Sequence, residues 1–195
     1  MHNFLTGLTR TLPHLMLVCT MALATAFANA QSTADRLQAV EDYIAIEQLL
    51  MRYAIAFNTG DADGYVGTFT PDGELQLIRQ EGEEPFAGPF KGRDALRKQW
   101  FPDHPGPGTP RPEFRRFGAM RHVTTNPLIE VDGDTATVEA IFMEVISNGP
   151  NLPQGSNPPT IWAMGRYMDE LVKIDGQWYF QRRTVITDMN EKFEP

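Results

Sequence analysis

The stretch IEQLLMRYAIAFN, residues 46–58, decides how the first half of the chain folds. Its apolar residues recur at intervals of three and four, the spacing that places side chains on one face of an α-helix: Ile46, Leu49, Leu50, Tyr53 and Phe57. The helical pattern extends over residues 34–58, and Gly60 is a typical stop signal just beyond it. We therefore predict a long N-terminal helix that buries one apolar stripe.

Shorter elements follow this helix. Asp61 or Asp63 can cap a second short helix that reaches Phe69. Pro71-Asp72-Gly73 is a turn signal, and residues 74–80 have the pattern of a first strand. A third short helix is predicted from Gly92 to about Trp100.

The second half is predicted to be strands. Residues 120–131 and 135–147 flank Asp132-Gly133-Asp134, and residues 161–174 and 177–187 flank Asp175-Gly176, which are hairpin signals. Proline-rich loops at 101–118 and 147–160 separate these units. Helices followed by strands predict an α+β fold. We expect a cone-shaped barrel, formed by a strongly curved mixed or antiparallel sheet on the long helix and two shorter ones, with an apolar pocket at its open end.

The N-terminus has the features of a secretory signal peptide over residues 1–30. Arg10 is its only charged side chain, an apolar stretch runs over residues 15–27, and Ala28-Asn29-Ala30 is a typical cleavage site. The apolar stretch is shorter than the roughly 20 residues that cross a bilayer. We expect an exported protein, periplasmic or secreted from a bacterium, with one domain over residues 31–195. Because Cys19 lies in the signal, the domain has no cysteine.

Composition and motifs exclude several classes of function. The net charge of −8 and the lack of a basic stripe argue against nucleic acid and against membrane binding after signal removal. The histidines show no HxH or HExxH spacing, so we predict no metal site. No glycine-rich turn stands between a strand and a helix, so we predict no nucleotide cofactor.

Three polar residues are candidates for chemistry. His122 begins a strand and alternates with Thr124 and Asn126 on one face of it. Tyr53 lies on the buried stripe, where its hydroxyl needs a partner, and Asn58 stands at the helix end. Each also has a structural interpretation: a core tyrosine bonded to the backbone, a histidine satisfied within the fold, and an asparagine that caps the helix.

Further residues could contact a substrate. Arg182 alternates with the apolar residues of the last strand, and Arg166 is flanked by apolar residues of the preceding one. Such arginines need an anionic ligand or a structural carboxylate partner, for which Glu139 and Glu144 are available. Four aromatic residues could line the pocket or only fill the core: Phe57, Trp100, Phe142 and Trp162.

Several segments together resemble the SnoaL-like proteins of the nuclear-transport-factor-2-like superfamily, which includes ketosteroid isomerases, scytalone dehydratase and bile-acid dehydratases. They are residues 46–61, Phe69-Thr70-Pro71-Asp72-Gly73, Phe90-Lys91-Gly92-Arg93-Asp94, residues 121–126, Val131-Asp132-Gly133-Asp134 and Asp175-Gly176-Gln177-Trp178. The resemblance implies a cone-shaped α+β barrel that is often dimeric and usually needs neither metal nor organic cofactor.

In the dehydratase-like members of that family the working groups are a helix tyrosine, an aspartate five residues later and a strand histidine. The resemblance maps the tyrosine onto Tyr53 and the histidine onto His122, but the aspartate position holds Asn58. Asparagine offers hydrogen bonds without the charge that would stabilise an imidazolium. A neutral imidazole can still act as a base near neutral pH.

Three functions are therefore open. The first is a cofactor-independent lyase or isomerase in which His122 removes a proton from a small apolar molecule, Tyr53 binds its oxygen and Asn58 positions the imidazole. The second is a binding protein for such a molecule without chemistry, which Asn58 favours. The third is an oligomer-forming subunit, like the accessory β subunit of ring-hydroxylating dioxygenases.

Overall fold

The computed structural model of the protein describes residues 12–102, 119–147 and 159–188. In chain order the elements are α1 (Leu12–Thr59), α2 (Ala62–Gly67), β1 (Phe69–Ile78), β2 (Ala87–Lys91), α3 (Arg93–Trp100), β3 (Ala119–Asp132), β4 (Thr135–Ser147), β5 (Thr160–Ile174) and β6 (Gln177–Thr187). The predicted α+β class is confirmed. The two proline-rich loops fall mostly outside the described residues.

The chain divides into two units, Met1–Asp42 and Tyr43–Pro195. The described residues of the first unit belong to α1, where the amide of Gln38 donates to the carboxylate of Asp42 one turn later, at 3.2 Å. None of the helices formed by the described residues is long and apolar enough to cross a membrane.

The second unit contains one six-stranded mixed sheet with the order β2-β1-β6-β5-β4-β3. The pairing of β1 with β6 is parallel and the other pairings are antiparallel. The sheet is open, so β2 and β3 are edge strands rather than neighbours in a closed barrel. The predicted hairpins are confirmed: β3 and β4 are joined at Gly133, and β5 and β6 at Asp175-Gly176, where both residues have positive φ.

The predicted apolar stripe of α1 is buried and packs into the core. Its residues Ile46, Leu49, Leu50, Tyr53 and Phe57 are at most 9% exposed. They meet the inner face of the sheet, which carries the alternate residues Ala136, Val138, Ala140 and Phe142 of β4 together with Tyr167 and Phe180. This inner face is where polar groups could form a pocket.

One prediction about the first strand is wrong. Pro71-Asp72-Gly73 does not end the element before a strand at residue 74, because β1 already begins at Phe69. Phe69 pairs with Phe180 and Glu74 pairs with Arg182. An interval of five residues on β1 therefore lies opposite an interval of two residues on β6. The turn-forming residues are thus accommodated as a large irregularity within the strand.

Candidate functional site

His122 lies between an amide and a carboxylate. Its Nδ1 is 2.9 Å from Oδ1 of Asn58, and its Nε2 is 3.1 Å from Oε1 of Glu144. The backbone N–H of His122 donates to the same Asn58 oxygen at 2.9 Å. The imidazole side chain is 3% exposed and that of Glu144 is 23% exposed. Helix α1 and strands β3 and β4 therefore each supply one group to the site.

A β-bulge in β3 turns His122 towards the core. Near the hairpin Leu128 pairs with Glu139, but beyond Asn126 the register shifts by one residue and His122 pairs with Glu144. Asn126 has a φ of 53°, as expected for the bulged residue. Had the hairpin register continued, His122 would face Val145 on the outer side of the sheet. Thr124 pairs with Phe142 and so shares the inner face with His122, as expected, and Asn126 lies within the bulge itself.

The pairing of His122 with Glu144 brings the two side chains together. Because the His122 N–H points away from β4 to Asn58, the two residues form a non-hydrogen-bonded cross-strand pair, the closer of the two antiparallel types. Asn58 lies in the last turn of α1 and ties that helix to the edge strand. The Phe57 ring packs against the imidazole edge to face, with 4.4 Å between centroids. The histidine thus has apolar contacts on one side and polar contacts at both nitrogens.

Tyr53 lies deeper in the core, and no hydrogen bond among the described residues joins it to His122. The two are connected through rings: Phe57 also contacts Tyr65, at 5.5 Å, and Tyr65 contacts Tyr53, at 5.0 Å. Burial raises the pKa of Tyr53, Arg183 lowers it in part, and the charge of Glu144 raises it again. The phenol therefore keeps its proton at neutral pH and can act as a hydrogen-bond donor.

A charged neighbour of Tyr53 is Arg183, which the sequence analysis did not identify. Its guanidinium lies 4.0–4.1 Å from the ring centroids of Tyr53, Tyr167 and Phe180. It makes a bidentate pair with Asp169 at 2.8 and 2.6 Å, and neither side chain is exposed. Burial alone would lower the pKa of Arg183, but the Asp169 carboxylate reverses this and raises it. Its Nη1 has no hydrogen-bond partner among the described residues.

A second bulge explains why the buried arginine is Arg183 rather than Arg182. In β6, Phe180 pairs with Leu171 and Arg182 with Glu170, so Gln181 is an extra residue. The alternation that was expected to place Arg182 beside Phe180 changes phase there. Arg182 lies on the outer face and binds Glu74 at 3.0 Å and Glu170 at 3.1 Å, with its side chain 44% exposed.

The other predicted substrate contacts fall into two groups. Phe57, Phe142 and Trp100 adjoin the core: Phe142 stacks on Tyr167 at 4.5 Å, and Trp100 contacts Phe57 at 5.8 Å. Arg166 instead lies on the outer face and pairs with Glu139 at 3.0 Å, since it pairs across the sheet with the outward residue Ile141. Trp162 is 66% exposed. Trp162, Arg166 and Arg182 therefore do not join the core residues or the groove at His122, and a substrate contact by them stays a prediction.

A groove gives access to the histidine from the edge of the sheet. It has a volume of about 440 Å³ and lies between α1 and β3. Its polar wall residues are Glu47, Asn58, His122 and Thr124. The rest of the wall is apolar and is formed by Leu50, Met51, Ala54, Ile55, Val123 and Pro127. Within the described part of the chain, no group of three His, Cys, Asp or Glu side chains is placed to hold a metal ion.

Comparison with known proteins identifies the family. The family model described as "SnoaL-like domain" matches residues 38–184. The uncharacterised protein Rv2910c of Mycobacterium tuberculosis is 26% identical over 144 residues, which cover 74% of this chain and 84% of that protein.

Two solved structures from Novosphingobium aromaticivorans are similar in fold. One is a protein proposed to be a scytalone dehydratase: it is 26% identical, has a TM-score of 0.55, and the match covers 77% of this chain and 87% of that one. The other is a nuclear transport factor 2-like protein with a cystatin-like fold: it is 20% identical, with a TM-score of 0.62 and coverage of 82% and 90%.

Proposed function

The chain belongs to the SnoaL-like domain family, and on this premise we propose that it is a lyase or isomerase that works without a cofactor. Its substrate is a small, largely apolar molecule that carries a carbonyl or a hydroxyl group. The reaction moves a proton between the substrate and the His122–Glu144 pair. Tyr53 donates a hydrogen bond to the substrate oxygen that becomes more negative.

One observation carries this proposal: a buried imidazole is held at both nitrogens, one of them by a carboxylate. Imidazole and carboxylate are the groups most used for proton transfer near neutral pH, and proton transfer requires them to be positioned within hydrogen-bond reach. The Phe57 ring packs against the imidazole and excludes water from that side. A dry environment of this kind strengthens electrostatic interactions with a reacting group.

The proposed partner of the substrate oxygen is a donor in the core. The Tyr53 phenol keeps its proton because burial raises its pKa, and Arg183 Nη1 has a donor without a partner among the described residues. Glu144 alternates with Phe142 on the inner face of β4, and Phe142 stacks on Tyr167, so the carboxylate and this phenol lie on the same side of the sheet. Donors that are fixed before the reaction stabilise an oxyanion without the cost of reorganising solvent.

The relatives support the class of reaction rather than a particular substrate. One structural neighbour is proposed to be a scytalone dehydratase. A dehydratase eliminates water from its substrate, and this reaction needs the same proton abstraction. The competing proposal is a binding protein without activity, and Asn58 supports it because the charged partner of the family histidine is missing at that position. Glu144 supports catalysis because it places a carboxylate on the other ring nitrogen.

The test uses small ketones and 3-hydroxy ketones in D₂O. Deuterium uptake at the carbon next to the carbonyl reports proton abstraction even without net conversion, and loss of water reports elimination. We expect His122→Ala to reduce the faster of the two rates by about 100-fold or more. Retained thermal unfolding would show that the variant folds. Binding of a ketone with no exchange in the unmodified protein would favour the binding protein instead.

The dimer implied by the resemblance also remains a proposal, and the outer face of the sheet supports it. Val123, Ile141, Met164 and Trp162 are 38–66% exposed there, next to the oppositely charged pair Arg166–Glu139. A second copy related by a two-fold axis would cover these apolar residues. It would also bring Arg166 of one copy near Glu139 of the other. Trp162→Glu should shift the mass measured by light scattering from dimer to monomer, and an unchanged dimer would exclude this face.

A further inference from the structure

The orientation of the Asn58 amide fixes the hydrogen-bond role of one ring nitrogen of His122. The amide atom that receives the backbone N–H of His122 must be an acceptor, and it is Oδ1. The same Oδ1 is 2.9 Å from Nδ1 of the ring. Because an amide oxygen cannot donate, Nδ1 must carry the proton in this contact. A flipped amide would set an NH₂ group against the backbone N–H, so the alternative is excluded.

The other ring nitrogen then needs a second proton. A neutral imidazole that is protonated at Nδ1 presents a lone pair at Nε2, and that lone pair faces Oε1 of Glu144 at 3.1 Å. Two lone pairs at this separation repel each other, whereas a proton between them makes a charge-assisted hydrogen bond. The 3.1 Å contact therefore fits an arrangement with one proton between Nε2 and Oε1, in which the imidazole has no free lone pair to offer a substrate.

The basic atom that remains is the second oxygen of Glu144. Among the described residues Glu144 makes its hydrogen bond to His122 through Oε1 alone. Its side chain is more exposed than the imidazole, 23% against 3%, and its charge reaches Tyr53 and Tyr167. The carboxylate of Glu144 is therefore the more accessible of the two paired groups.

Resting on the proposed function, we propose that Glu144 is the catalytic base and that His122 is a positioning residue which holds it. Glu144 Oε2 forms an O–H bond with the proton removed from the carbon next to the substrate carbonyl. The electron pair of the broken C–H bond moves into the carbonyl, and the resulting enolate oxygen accepts a hydrogen bond from Tyr53. The proton then returns to another carbon in an isomerisation, or leaves with the hydroxyl group as water in an elimination.

With Glu144 as the base, the neutral side chain of Asn58 has a role of its own in the site. An aspartate at residue 58 would place a carboxylate on Nδ1, and two carboxylates would then compete for the protons of one ring. With Asn58 neutral, Nδ1 of the ring faces an amide oxygen and Nε2 faces the carboxylate of Glu144 on β4.

The first arm of the test reads the ring protons without any substrate. In ¹⁵N-labelled protein at neutral pH, long-range ¹H–¹⁵N spectra distinguish protonated from unprotonated ring nitrogens, and loss of a signal in His122→Gln assigns it. We expect both nitrogens of His122 to carry protons in the unmodified protein and Nε2 to lose its proton in Glu144→Gln. An unprotonated ring nitrogen in the unmodified protein would overturn the inference, whatever the activity.

The second arm reads proton abstraction in the D₂O assay with the ketone panel. Glu144→Gln should lower the exchange rate by about 100-fold or more. The matched control is Glu139→Gln, because Glu139 is on the same strand and is also paired with a cation, but on the outer face. Exchange retained in Glu144→Gln but lost in His122→Gln would make the imidazole the base and overturn the assignment. No exchange in any protein would remove the proposed function and the base together, while the ring spectra would still report the proton arrangement.

Discussion

Removal of the Asp169 carboxylate should destabilise the fold far more than removal of its neighbour Glu170. Both residues are acidic, both lie on β5, and each pairs with one of two consecutive arginines on β6. The Asp169–Arg183 pair is 0% exposed on both sides, whereas the Glu170–Arg182 pair is 58% and 44% exposed. The two variants therefore differ mainly in burial.

The expected magnitudes follow from that difference. Asp169→Ala leaves the Arg183 guanidinium without a counterion in the core, and breaking a buried pair from one side costs about 3–5 kcal/mol. Cation–π contacts with Tyr53, Tyr167 and Phe180 remain but do not neutralise the charge. Glu170→Ala removes a solvent-exposed pair, which contributes about 0–1 kcal/mol.

Urea denaturation followed by circular dichroism gives the free energy of unfolding for each variant. The double variant Asp169→Leu/Arg183→Met should recover much of the loss, because it removes the charge together with its partner. Losses of less than about 1 kcal/mol for both single variants would contradict the buried pair and with it the bulge that turns Arg183 inwards.

Three further predictions concern other parts of the molecule. Burial raises the pKa of Tyr65 and Tyr167 above the ordinary value of 10.0, so their contribution to stability should be constant up to about pH 10 and then fall as the unfolded chain ionises first. Tyr65→Phe should make this alkaline fall less steep in urea titrations. A methyl group at Gly165 would overlap the backbone of β6, so Gly165→Ala should cost about 1–3 kcal/mol, whereas Gly67→Ala, with open space around it, should change stability by less than about 1 kcal/mol. N-terminal sequencing of protein recovered outside the cytoplasm should start at Gln31, and an intact Met1 would contradict the signal peptide.

The periodic elements could be predicted from the sequence because each carries a local signal. The α1 stripe has regular helical spacing, and the hairpins at Gly133 and Gly176 have residues that accept positive φ. The strand bounds 135–147 and 177–187 are those observed. The turn signal at Pro71 predicted the end of an element, but β1 continues through it as an irregular segment. This is possible because β1 pairs with β6 both before this segment, at Phe69, and after it, from Glu74.

The polar groups of the site could be predicted only in part, because two bulges decide which side chains face inwards. The hairpin register alone sets His122 opposite Val145, and only the extra residue at Asn126 brings it to Glu144. In the same way, the extra residue Gln181 in β6 turns Arg183 rather than Arg182 towards the core. Asparagine, which tolerates positive φ, before proline was an available signal for the first bulge. Nothing in the local sequence of β6 marks the second one.

The most direct measurement of the central claim is the rate at which the unmodified protein catalyses deuterium uptake next to the carbonyl of a ketone that it binds. We predict exchange well above the rate in buffer, little change in Glu139→Gln, and loss by about 100-fold or more in Glu144→Gln. Equal rates in the unmodified protein and in Glu144→Gln, with the ketone bound by both, would contradict proton transfer by the His122–Glu144 pair.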